Sequence, residues 1–276
     1  MPAQRPITRI LALAAYFLLA FAVFLFLLFP FDRIKSRIEA EVGRRTGLDL
    51  TIAHVAPRFF NRFALRDVVL AAKSGSVLFE SAEAHATVPV LSLLRGAPGL
   101  DLRASAYGGE VLLHARQEKN AQSFLVDASN LDIASYALLK QQGIKLSGTL
   151  GGNIEMTGDS GRGKLWVKGL ASRELKVKGF SVPDIDFDQG WFECEVKGDR
   201  LFVKKLDLDG KELKLRVNGD LVLREQGMLN LTIKLKPSER LAHEQSALLS
   251  LLKNRDADGF YILTLGGTVA APMPRL

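Results

Sequence analysis

The sequence predicts a mainly β protein. A transmembrane helix and a short amphipathic helix precede a long, curved, mostly antiparallel sheet with one or more covering helices. Three observations carry this reading. Residues 10–29, ILALAAYFLLAFAVFLFLLF, contain no charge. Phe31, Ile34, Ile38 and Val42 then recur at helical spacing among charged residues. From Leu48 onward, apolar residues alternate with polar ones in runs separated by turn signals.

The apolar run comes first. At 1.5 Å per residue it reaches roughly 30 Å, the thickness of a bilayer's hydrocarbon. Only a helix satisfies its own backbone there as an open segment. A cleaved signal peptide would have a shorter apolar stretch and a small-residue cleavage site, whereas this run ends in Leu28, Phe29, Pro30 and Phe31. Residues 1–30 therefore read as an N-terminus and membrane anchor. Arg5 and Arg9 precede the span, while Arg33, Lys35 and Arg37 follow it. The charge bias is small, and the N-terminus is placed in the cytoplasm with the bulk across the membrane.

Residues 31–47 read as an amphipathic helix that stops at Gly47 and caps the membrane-proximal end of a β-rich domain. Residues 48–276 form that domain. Its clearest strand is LKLRVNGDLVL, with Leu213, Leu215, Val217, Gly219, Leu221 and Leu223 on one face. A kink is expected at Gly219. LNLTIKL repeats the alternation after a turn, with Leu229, Leu231, Ile233 and Leu235 on the apolar side. Strands joined by short turns favour an antiparallel meander with one wet and one dry face. FLVDA (124–128) and LKVKG (175–179) read as further strands. A helix is expected over about 238–253, capped by Ser238 with Leu241, Leu248, Leu249 and Leu252 as its stripe. Shorter helices are expected within 91–96 and 131–143. The glycine-rich stretch 140–163 reads as a run of turns, with a subdomain boundary there as the alternative. GFYILTLGGTV is the last expected strand, followed by AAPMPRL.

The chemistry-bearing residues do not converge. His54, His85, His114 and His243 are scattered, and Cys194 stands alone. DIDFDQGWFECE places Asp184, Asp186, Asp188 and Glu195 at four positions of a calcium loop. The glycine that such a loop needs is Gln189, and Ile185 and Phe187 alternate with the acids. A strand with acids outward fits better. GDSGRG (158–163) matches no nucleotide-binding spacing, and the NLT at Asn230 lies mid-strand. The sequence thus calls for no catalytic residues, no cofactor and no metal. The net charge of +7 falls to +5 beyond Arg5 and Arg9 and is not concentrated anywhere, which speaks against nucleic acid. Membrane lipids are the expected partners of some of these cations. Leu213, Leu215, Val217, Leu221, Leu223, Leu229, Leu231, Ile233 and Leu235 form either a sealed core face or an apolar groove.

The stretch FPFDRIKSRIEAEVGRRTGLDLTIAHV, followed by FALRDVVL, resembles the start of AsmA-like proteins. There an anchor leads into a short helix, a Thr-Gly turn (here Thr46-Gly47) and strands. Within that group, the size and the ending LTLGGTVAAPMPRL look most like the type II secretion system protein N family. That resemblance implies a single-pass protein of the bacterial inner membrane. Its periplasmic domain would serve protein export without catalysing a reaction, and other secretion components would be its partners. The AsmA-like relationship implies an alternative: a curved sheet whose apolar interior binds or transfers lipid.

Overall fold

A computed structural model describes residues 31–276 except 60, 90–91, 93–95, 118–120, 175, 178–179, 182, 225–226, 251, 253, 269–270 and 276. The span expected over 10–29 lies outside the described residues. Among the described residues, no helix is long and apolar enough to cross a membrane.

The chain begins with helix α1 (Phe31–Thr46). Gly47 ends it with φ at 71°, and its N–H donates to the Gly43 carbonyl. This is a left-handed glycine cap, which leaves the chain free to turn into the first strand. Strands β1 (Leu48–Phe59), β2 (Arg62–Ala72), β3 (Val77–Thr87), β4 (Gly99–Ala106), β5 (Gly109–Gln117) and β6 (Gln122–Asp132) follow. Next come β7 (Lys145–Thr157) and β8 (Ser160–Arg173), then a side hairpin of β9 (Lys176–Val177) and β10 (Phe180–Ser181). The chain re-enters the sheet with β11 (Ile185–Lys197), β12 (Arg200–Asp209), β13 (Leu213–Val222), β14 (Leu229–Pro237), β15 (Tyr261–Gly267) and β16 (Pro272–Arg275).

Apart from the side hairpin, these strands form one 14-stranded antiparallel sheet in chain order, and its first and last strands do not pair with each other. Short turns dictate that order. Tyr107 and Gly108, with φ of 52° and 75°, make a two-residue hairpin loop whose twist matches the flanking strands. Gly158–Asp159 and Gly198–Asp199 join their strands by equally short loops.

Several local expectations change. The glycine-rich stretch 140–163 is neither a run of turns nor a boundary, because β7 and β8 pass through it and pair along their length. The Lys176–Val177 strand belongs to the side hairpin rather than to the main sheet. The helix expected over 238–253 is two pieces, α3 (Glu239–Glu244) and α4 (Ser246–Leu249), interrupted at Gln245. Ser238 caps the first by accepting from the Leu241 N–H at 3.2 Å, and Leu241 is buried. A 3-10 turn (Ile133–Ser135) and α2 (Ala137–Gln141) occupy the loop after β6, while 91 and 93–95 lie outside the described residues. At Gly219, where a kink is expected, φ is 140° and an added Cβ would lie 2.1 Å from the Asn230 carbonyl oxygen, so the position is set by close backbone approach.

One further irregularity sits in FALRDVVL. Asp67 adopts φ of 52° between Leu65 and Val68, yet both neighbours pack into the same apolar cluster. The left-handed residue lets two side chains of opposite parity share a face, as a bulge does. That cluster joins Ile52, Val68, Ala84 and Ala104, with Phe79 and Leu102 against it. It is the best-buried part of the described residues.

Candidate functional site: an uncovered apolar face

Residues paired across neighbouring strands share a face of the sheet. One rung runs Ala84, Ala104, Val111, Ala128, Gly152, Leu165, Phe192, Leu206, Val217, Ile233 and Leu263. It crosses eleven strands, about 48 Å of contour at 4.8 Å per strand, without a polar side chain. A parallel rung runs Leu102, Leu113, Val126, Ile154, Gly163, Cys194, Val203, Gly219, Leu231 and Leu265. The rung between them points the other way and is mostly polar, with Asp127, Asn153, Lys164 and Glu193 beside Leu112.

The residues expected on the dry face fall on it. Leu213, Leu215, Val217, Leu221, Leu231, Ile233 and Leu235 are half-buried, and Leu229 is buried. Leu223 lies just past β13 and is exposed. Around Ala84 and Ala104 the face is buried, but along much of its length it is not covered as a core would be. Among the described residues no large side chain is fully buried, and Phe124 and Ile154, both on the apolar face, are 40% exposed.

The helix α1 covers one corner. Val42 and Thr46 face Leu100, Ala115 and Phe124 across a cleft of about 510 Å³. On a flat sheet β1 and β6 would lie about 24 Å apart, more than twice a helix diameter. The first strands therefore curl for one helix to lie against β1 and face β6. Ile38, expected on the packed side, is 45% exposed. The contact is made instead by polar side chains along the free edge of β1. Glu39 accepts from the Ile52 N–H at 2.9 Å, and the Lys35 ammonium donates to the Ala53 carbonyl at 3.4 Å. The side chains of Phe31 and Ile34, expected on this capping face, lie outside the description.

Among the described residues the polar face holds no reactive constellation. The calcium-like stretch is the strand β11, with Ile185 and Phe187 buried and Asp186 and Asp188 exposed. Among the described residues no group of three or more His, Cys, Asp or Glu is arranged to hold a metal. His114 pairs with Asp101 across β4 and β5 at 2.7 Å, a contact that register creates and sequence spacing does not announce. Cys194 lies half-buried on the apolar face, where burial pushes its thiol up from the usual range against a hydrogen bond with Gly163. A raised thiol is a poor nucleophile at neutral pH.

Sequence reasoning located two of the eleven strands of the face, β13 and β14, and missed most of the rest. Leu113, Val126 and Phe192 sit in strands whose polar side also carries apolar residues such as Leu112, Leu125 and Trp191, so their alternation is blurred. Comparison with family models, with curated proteins and with solved structures gives no match to this chain.

Proposed function

We propose that the uncovered apolar face is a lipid-binding trough, and that the protein is a non-enzymatic, membrane-associated lipid-holding or lipid-transfer protein. The observation that supports this most is the eleven-strand rung without a polar side chain, on a face that beyond its buried end at Ala84 and Ala104 has no second layer among the described residues. Apolar area left in water costs about 25 cal/mol per Å², so a face of this size favours an apolar occupant. Acyl chains match it because they need no hydrogen bonds, and the rungs offer none. In this reading residues 10–29 anchor the chain in the bacterial inner membrane, with the β-domain on the periplasmic side.

The test is native mass spectrometry of the full chain purified in mild detergent. Phospholipid should co-purify. Ile154→Asp, at an exposed point of the trough, should strip most of it while changing folding stability by less than about 0.5 kcal/mol. A lipid-free wild-type preparation would overturn the reading.

An accessory role in type II secretion is the second reading, supported by the likeness of residues 29–55 and of the chain's end. Crosslinked membranes should then yield secretion components with this protein, and deletion should impair export. Docking by strand addition has little support, because α1 side chains occupy the β1 edge and β16 carries Pro272 and Pro274.

A further inference from the structure

The chain has two tryptophans, and both lie together on the polar face. Trp166 of β8 and Trp191 of β11 are direct register partners. Trp191 is 51% exposed, unusual for so large an apolar ring. Trp166 is held from below: its six-membered ring lies over Gly151, where an added Cβ would come within 2.3 Å of the ring. The Lys168 ammonium lies over the Trp166 ring, 5.1 Å from its centre. The pair borders a cleft of about 490 Å³, also lined by Asp127, Asn153 and Lys164. Those three side chains make no hydrogen bond or ion pair with another described residue.

We propose that this cleft is a carbohydrate-binding site in which a sugar ring stacks on Trp191. Three features select that chemistry. The exposed indole offers a negative π face to the weakly positive C–H groups on one side of a pyranose. Asp127, Asn153 and Lys164 supply an acceptor, an amide and a donor, the set that hydroxyl groups require. Charges balance, with Asp127 and Glu193 against Lys164 and Lys168, so a neutral polyol fits better than a phosphate or a nucleic acid strand. The site faces away from the apolar trough, so the two bind independently.

Because both tryptophans are at the site, intrinsic emission reports on it directly. The full chain, held in a detergent without a sugar headgroup, is titrated with maltohexaose, cellohexaose and N-acetylchitohexaose at millimolar concentration, with calorimetry alongside. At least one oligosaccharide should shift the emission and bind. Trp191→Ala should weaken that binding more than tenfold, with melting temperature, sedimentation and bound phospholipid unchanged. Gly151→Ala, which displaces the Trp166 ring without touching Trp191, should weaken it several-fold. Absence of binding by all three sugars overturns the proposal. So does full binding by Trp191→Ala, or a change of its oligomeric state, which would make the tryptophan a contact between copies.

Discussion

Asp101 shows what register does at the residue scale. It is the register partner of His114, thirteen positions away, and Arg116 reaches it at 2.6 Å. Burial raises its carboxyl, but hydrogen bonds from His114 and Arg116 outweigh that and hold it below its ordinary 3.8. A carboxyl lowered by folding contributes stability that is complete above its unfolded value and is lost as pH falls through its folded one. The side chain is about a third exposed, so solvent screens the pair and the contribution is below about 1 kcal/mol. Asp101→Asn should therefore lower the urea midpoint slightly at neutral pH. That difference should fade in acid once pH has fallen through the lowered titration of Asp101, where the wild-type side chain is also neutral. A difference that persisted in acid would assign the effect to packing instead.

Among the elements, α1 and β16 carry the consequence of an open sheet, which has two edges to protect. Unpaired strand edges recruit other chains. At one edge Glu39 and Lys35, both about three-quarters buried, occupy backbone groups of β1. At the other, the two prolines of β16 have no N–H to offer. Replacing Lys35 and Glu39 together by alanine should expose the β1 edge and produce concentration-dependent association, read by sedimentation. Ile38→Asp should leave both association and melting nearly unchanged, because almost half of Ile38 already faces solvent. The helix itself was legible in the sequence from the spacing of Phe31, Ile34, Ile38 and Val42 and from the stop at Gly47. Its mode of attachment was not, because apolar spacing draws attention to Ile38 while the contacts are made by the charged residues between. The strand β16 escaped notice for the converse reason. Proline argues against a strand, yet an edge strand needs to hydrogen-bond on one side only. Gly152 misled in the same way: its φ of 141° is open only to glycine, and it lies inside β7 rather than in a turn.

For the molecule as a whole, alternation reveals a dry face but not what lies over it, since a sealed core and an open trough share one pattern. The distinction appears only when all fourteen strands are seen to form a single layer. Among the described residues the second sheet is only the two-residue-per-strand hairpin of β9 and β10, and it and the short helices α2, α3 and α4 are too small to cover eleven strands. The two faces can be read separately on one strand, since Asn153 and Ile154 are neighbours on β7, both exposed, and point in opposite directions. With the native thiol removed by Cys194→Ser, Asn153→Cys and Ile154→Cys place single thiols on the polar face and in the trough. Both should react readily with an uncharged maleimide in lipid-free protein. Added phospholipid should slow labelling at position 154 by tenfold or more and leave position 153 unchanged. Equal slowing at both positions would indicate burial of the whole domain in a lipid aggregate. No slowing at position 154 would mean that the trough stays empty of lipid, and that another apolar surface has to cover it.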